Sequence, residues 1–112
     1  MTSQRRPRKR SAKRFALVWT DRAVSDLEAI GDFIAADDPV AAERWVRVLI
    51  AAAEGAAGTP LAGRRVPQLG RDDIREVLKR TYRIVYRVRD DRVEVLTIFE
   101  GHRLFPPDVE GT

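Results

Sequence analysis

Cations crowd the last third of this chain, among them Arg75, Lys79, Arg80, Arg83, Arg87 and Arg103. Arginine presents a planar fork of donors, so such residues hold carboxylates and phosphates and stabilise negative charge that grows during a reaction. They exchange protons poorly unless their pKa is pulled far down. The neighbouring groups able to move a proton are His102, the one histidine of the chain, together with Tyr82, Tyr86 and Glu76. With one histidine and no cysteine, neither a disulfide nor thiolate chemistry nor a catalytic metal site is expected, and no cofactor is implied.

The elements that must position these groups are three apolar-alternating runs, Ile74–Lys79, Tyr82–Arg89 and Arg92–Phe99. In the middle run Tyr82, Ile84, Tyr86 and Val88 share one face, while Arg83, Val85, Arg87 and Arg89 share the other. That period of two suits a half-buried strand and not a helix. The two short turns predict an antiparallel meander. Tyr82 and Tyr86 are then core aromatics with hydroxyls at the rim. Arg83 is either an anion-binding group or the partner of a carboxylate such as Glu76. Trp19 and Trp45 are expected in the core.

Ahead of the meander, Phe15–Trp19 reads as a first strand. Thr20 is placed to cap a helix whose stripe is Val24, Leu27, Ile30, Gly31 and Ile34, ending near Ala36. Gly31 inside it predicts close packing against a neighbour. Asp37-Asp38-Pro39 stops that helix and starts a second, from Pro39 to about Ala57, with Asp38 as its cap. So short a link folds the helices back on each other. The fold class expected is α+β: an N-terminal strand, then an antiparallel helical hairpin on one face of a small, mainly antiparallel twisted sheet. Residues 60–67 read as a turn and a very short extended piece, and the prolines after Phe105 end regular structure.

The chain is a single domain of 112 residues with net charge +4. Seven of its 21 Lys and Arg lie in residues 1–14, which hold no acid, so the remainder carries 14 bases against 17 acids. That segment is expected to be a disordered basic arm, residues 15–106 the folded domain and residues 107–112 a flexible tail. The arm is a solvated tail, a misassigned start, or a salt-sensitive contact with nucleic acid through Arg5, Arg6, Arg8, Lys9 and Arg10. Residues 21–54 hold eight acids and three bases, whereas residues 64–92 hold ten bases and five acids. The basic side is therefore the sheet. No apolar run approaches the length of a membrane span, the arm lacks the apolar stretch of a signal peptide, and a cytoplasmic location is expected.

In order along the chain, Asp26-Leu27 with Ile30, Gly63-Arg64, Ile74-Arg75-Glu76, the run Tyr82–Val88 and His102-Arg103 resemble the RelE/ParE superfamily of bacterial toxins. The similarity covers about residues 15–106. These are the toxin halves of type II toxin–antitoxin, or plasmid-stabilisation, modules. The resemblance implies growth inhibition silenced by a cognate antitoxin: a small protein with a DNA-binding N-terminal part and an acidic C-terminal segment that wraps over the toxin. The RelE-like branch cuts messenger RNA in the ribosome, and carried onto this chain its catalytic set would be Arg83, His102, Arg103 and Lys79. The ParE-like branch poisons DNA gyrase by binding. The second helix here runs into Gly-Thr-Pro-Leu rather than a lysine-rich loop, which favours the ParE-like branch and a binder over an enzyme. A small nucleic-acid-binding protein is the third reading. An antitoxin or target is expected on Arg75, Arg83 and Arg87, beside an apolar strip at Leu96 and Ile98 left exposed on the face away from the helices.

Overall fold

The computed structural model describes residues 15–109. The basic arm, with Arg5, Arg6, Arg8, Lys9 and Arg10, lies outside them, as do residues 110–112. The chain runs β1 (Ala16–Trp19), α1 (Asp21–Ala35), α2 (Pro39–Gly58), a single 3₁₀ turn (Pro60–Ala62), β2 (Arg64–Arg65), β3 (Ile74–Lys79), β4 (Tyr82–Val88) and β5 (Arg92–Glu100). The five strands form one sheet in the order β1-β5-β4-β3-β2. The meander β3-β4-β5 is antiparallel, as its short turns require, and β1 joins it parallel to β5 with Leu17 opposite Val93. No helix among the described residues is long and apolar enough to cross a membrane.

Both helix starts follow from their caps. The Thr20 hydroxyl accepts from the Ala23 N–H at 3.2 Å and donates to the Val95 carbonyl at 2.8 Å, tying the start of α1 to β5. The Asp38 carboxylate accepts from the Ala41 N–H at 3.0 Å, with Pro39 at the first helical position. A Cβ on Gly31 would stand 3.1 Å from Val46 Cγ2, so glycine there is what lets the two helices close on one another. The hairpin then covers one face of the sheet. Ala23, Leu49 and Ala53 meet Ile84, Val95 and Ile98, with Trp19, Trp45 and Tyr82 packed around them; Ala56 and Ala57 meet Tyr86 and Val93.

The other face departs from the sequence expectation. Leu96 and Ile98 are 0% and 2% exposed, and they do not share a face. Tyr86 pairs with Val95 but Val85 pairs with Thr97, so Leu96 is one residue extra in β5. A bulge shifts the two-residue alternation by one. Ile98 therefore joins Val95 under the helices, and Leu96 joins Phe99 on the opposite side. The step is held by α1: Asp26 accepts from the Thr97 hydroxyl and, at 3.2 Å, from the Ile98 N–H. Left unmet, such buried donors would each cost about 1–3 kcal/mol.

The second face has a roof of its own. Val66 and Leu69, from the loop after β2, and Phe105 and Val109, from the C-terminal segment, close over Ile74, Val85, Leu96 and Phe99. Val109 is 2% exposed, and the Arg22 guanidinium donates to the Pro107 carbonyl at 3.1 Å. The packed domain thus reaches Val109, and the tail expected from residue 107 is replaced, as far as 109, by a strap. The cause is simple: a sheet that carries Val85, Leu96 and Phe99 on its far side has apolar area to hide there too.

Candidate functional site

The sheet sorts its cations into two groups, and the distinction is whether carboxylates or backbone carbonyls of the same chain already hold them. Arg83 is 7% exposed. Its Nε donates to Glu76 Oε1 at 2.6 Å and one terminal nitrogen to Gln68 Oε1 at 3.0 Å. The guanidinium also lies 5.1 Å and 5.4 Å from the ring centres of Phe99 and Phe105, a cation–π arrangement inside the roofed face. Glu76, itself 1% exposed, takes a second arginine, Arg64, on its other oxygen at 2.6 Å. Arg87, Arg89 and Arg92 converge on the Glu94 carboxylate at 4.0, 3.3 and 2.8 Å. Burial works to raise the Glu94 pKa, but the hydrogen bonds from Arg92 and Arg89 outweigh it and hold the group below the ordinary carboxylate value. Arg75 donates to the carbonyls of Leu61, Gly63 and Asp72 and so pins the loops on either side of β2. The outward guanidinium face expected from the strand pattern is therefore an internal network at Arg83 and Arg87. It arises because Glu76 and Glu94 project from the strands on either side of β4.

The second group gathers at one end of the sheet. Lys79 pairs in register with Tyr82, Tyr82 with Glu100, and His102 and Arg103 follow in the turn after β5. Among the described residues Arg44, Lys79, Arg80 and Arg103 form no ion pair, and Arg80 instead lies 5.3 Å from the ring centre of Trp45. Three of the four residues expected to carry RNA cleavage, Lys79, His102 and Arg103, thus sit exposed on this end, and Arg83 does not join them. The groups around them are ill matched to proton transfer. Glu100 is kept below the ordinary carboxylate value by hydrogen bonds from Thr81 and the His102 N–H, so it is an anion and not an acid near neutral pH. Tyr86 lies away from this end, its hydroxyl donating to the Pro60 carbonyl at 2.6 Å, and burial pushes its pKa up. Arg44 is the residue that sequence reasoning left out of the site. Arg44 carried no strand signal, and only the fold sets it beside the β3–β4 turn.

Two recesses flank Tyr82. One, of about 460 Å³, opens beneath α1 between Ile30, Phe33, Ile98 and Arg103. Phe33 at its mouth is 80% exposed, a large apolar side chain left without cover. The other, of about 400 Å³, lies between α2 and the β3–β4 turn. Among the described residues no group of three or more His, Cys, Asp or Glu is placed to hold a metal ion.

Comparison with known proteins fits this architecture. Residues 17–105 match the family described as the ParE toxin of the type II toxin–antitoxin system parDE. Toxin RelE2 of Caulobacter vibrioides is 39% identical over 89 residues, covering 79% of this chain and 97% of the relative. Toxin Y4kP of Sinorhizobium fredii is 38% identical over 90 residues, covering 79% and 90%. A solved structure described as the chromosomal ParDE TA system from P. aeruginosa superposes with a TM-score of 0.66 over 80% of this chain and 98% of that one, at 24% identity, which speaks to the fold alone. The chain belongs to the ParE family of type II toxin–antitoxin toxins.

Proposed function

We propose that this toxin stops growth by binding DNA gyrase, with no catalytic step of its own, and that a cognate antitoxin silences it. The observation that carries this reading is the state of Arg83. The guanidinium that an RNA-cutting site would aim at a phosphate is bonded to Glu76 and Gln68 and covered by Phe99 and Phe105. Among the described residues, the proton-transfer groups that share their surroundings with an open cation are Tyr82, in a groove with Arg44 and Arg80, and His102 beside Arg103. That pair, with Lys79, is what favours the alternative, a ribosome-dependent messenger RNA endonuclease. The two separate in one experiment. Purified protein is added to a gyrase supercoiling assay and, in parallel, to ribosomes translating a defined message. Supercoiling should be inhibited with the message intact, and His102→Ala should inhibit as well as the parent. Cuts positioned by codon and abolished by His102→Ala or Lys79→Ala would overturn the binder reading.

The antitoxin would meet surface that the toxin leaves open, and Arg83, Arg87, Leu96 and Ile98 are not open. An acidic amphipathic segment fits the recess beneath α1, its apolar side on Ile30 and Phe33 and a carboxylate on Arg103. Phe33→Ser and Arg103→Glu should each weaken antitoxin binding about tenfold or more in calorimetric titration. Both side chains are exposed, so the unfolding midpoint should stay put. Unchanged affinity in both variants would remove this site.

A further inference from the structure

We propose that the groove between α2 and the β3–β4 turn is a binding site for single-stranded nucleic acid, taking an unpaired base against its aromatic side and the flanking phosphates on its arginines. The groove holds about 400 Å³ and is floored by Ile34, Ala41 and Val48, with Trp45 and Tyr82 as its aromatic walls and Arg44 and Arg80 on its rim. The two rings stand 5.9 Å apart at 54°, a tilted contact that leaves no room for a base between them, so a base would stack against the ring surface that faces the groove. Among the described residues no acid lines the groove. Glu43, the acid nearest to Arg44 in sequence, is held by Arg47 at 2.9 Å. Lys79 stands next to the rim, in register with Tyr82. Three cations without a carboxylate around two aromatic rings are therefore kept in a protein that pairs most of its other arginines internally. The turn fixes the rim: Arg80 has φ 54°, a left-handed conformation that few side chains adopt, and its guanidinium is already over the Trp45 ring.

That chemistry selects its ligand. Flat rings give a base about 1–3 kcal/mol of stacking with little regard to sequence, and arginine forks take phosphate oxygens in pairs. An acidic peptide would satisfy the cations but leave the rings unused. A duplex would satisfy the cations but keeps its bases inside. The site is separate from the recess beneath α1, and it stands or falls independently of gyrase as the target.

The test uses the full chain, because the arm of residues 1–14 will add its own salt-sensitive attraction to any polyanion. Labelled oligothymidylate and oligouridylate, an abasic oligonucleotide of equal length, a duplex, poly-glutamate and anionic phospholipid vesicles are titrated with the parent and with Arg44→Gln/Arg80→Gly. Glycine accepts the left-handed φ at position 80, so the variant keeps the turn. We expect one or both single strands to bind the parent about tenfold or more tighter than the abasic strand, with tryptophan fluorescence quenched. The variant should lose about tenfold in affinity, and its dependence of log K on log salt should flatten by about 1.4, two contacts at roughly 0.7 each. The tighter of the DNA and RNA strands names the natural ligand. The proposal is overturned if the variant binds as the parent does, which would place binding on the arm. It is equally overturned if the abasic strand, the duplex, poly-glutamate or the vesicles bind as tightly as the single strand.

Discussion

Replacing Glu76 with leucine should cost the protein about 3–5 kcal/mol, read as a lower urea midpoint at an unchanged slope. Glu76 is 1% exposed and, among the described residues, is the one carboxylate bonded to Arg83, which is itself 7% exposed. Removing it strands a guanidinium beneath Phe99 and Phe105, out of reach of bulk water. Arg64, the other arginine on Glu76, has a side chain 56% exposed and loses little, since water can take over its hydrogen bonds. A domain of this size holds only about 5–15 kcal/mol in all, so the single change approaches global unfolding. Glu76→Leu combined with Arg83→Met should recover most of the loss, because a buried ion pair exchanged for apolar side chains of similar volume is about neutral, and a thioether packs well against two phenyl rings. The double variant also separates structure from chemistry. If Arg83 is part of the frame, the refolded double variant inhibits growth as the parent does. If the double variant folds and is inert, Arg83 touches the target and the binder reading at this position fails. A loss under 1 kcal/mol for Glu76→Leu alone would show that Arg83 finds other partners.

What was legible in the sequence divides along the range of the interactions. The three strands, both helices and their caps were written locally, in alternation, in Thr20 and Asp38, and in Pro39, and each lies within a residue or two of where that chemistry put it. The pairing of Arg83 with Glu76 was legible as an alternative, since IREVL and YRIVY are neighbouring strands of one hairpin. The bulge was not. Nothing in VEVLTIF marks Leu96 as the extra residue, and the signal lies 70 positions away in Asp26, whose carboxylate bonds Thr97 and Ile98. That one-residue slip moved Ile98 under the helices and erased the exposed apolar strip expected beside the arginines. The strap was missed for a related reason: Val109 follows two prolines and a charged residue, a local pattern of disorder, and is ordered only by the apolar far side of the sheet. Arg44 became a site residue by tertiary placement alone. The functional surface thus moved from the middle of the sheet, where cations are dense but neutralised, to its end, where they are fewer and uncommitted.

Gly63→Ala should destabilise by about 3 kcal/mol, and the reason is not backbone conformation. Gly63 has φ −69° and ψ 151°, which any residue adopts. Its constraint is space: a Cβ there would sit 2.1 Å from the Tyr86 hydroxyl oxygen and 3.0 Å from both Tyr86 Cζ and the Glu76 carbonyl oxygen. The hydroxyl cannot retreat, because it donates to the Pro60 carbonyl at 2.6 Å inside the core, with Tyr86 1% exposed. The added methyl must break that bond or push the 3₁₀ turn away from β4, and the turn is what connects α2 to the sheet. Tyr86→Phe alone should cost about 1–2 kcal/mol for the lost hydrogen bond. In the double variant the 2.1 Å collision is gone while the 3.0 Å contacts remain, so the two losses should fall short of additivity by about 1–2 kcal/mol. The same phenol gives a pH signature. Burial raises its folded-state pKa above the ordinary 10.0, so the folded state holds the proton longer than the unfolded one. Its contribution is complete below that value and is lost as pH rises above it, and the parent should lose ground to Tyr86→Phe only on the alkaline side. Strict additivity in the cycle, or Gly63→Ala within about 0.5 kcal/mol of the parent, would mean that the hydroxyl does not hold this turn and that α2 is tied to the sheet by its alanine contacts alone.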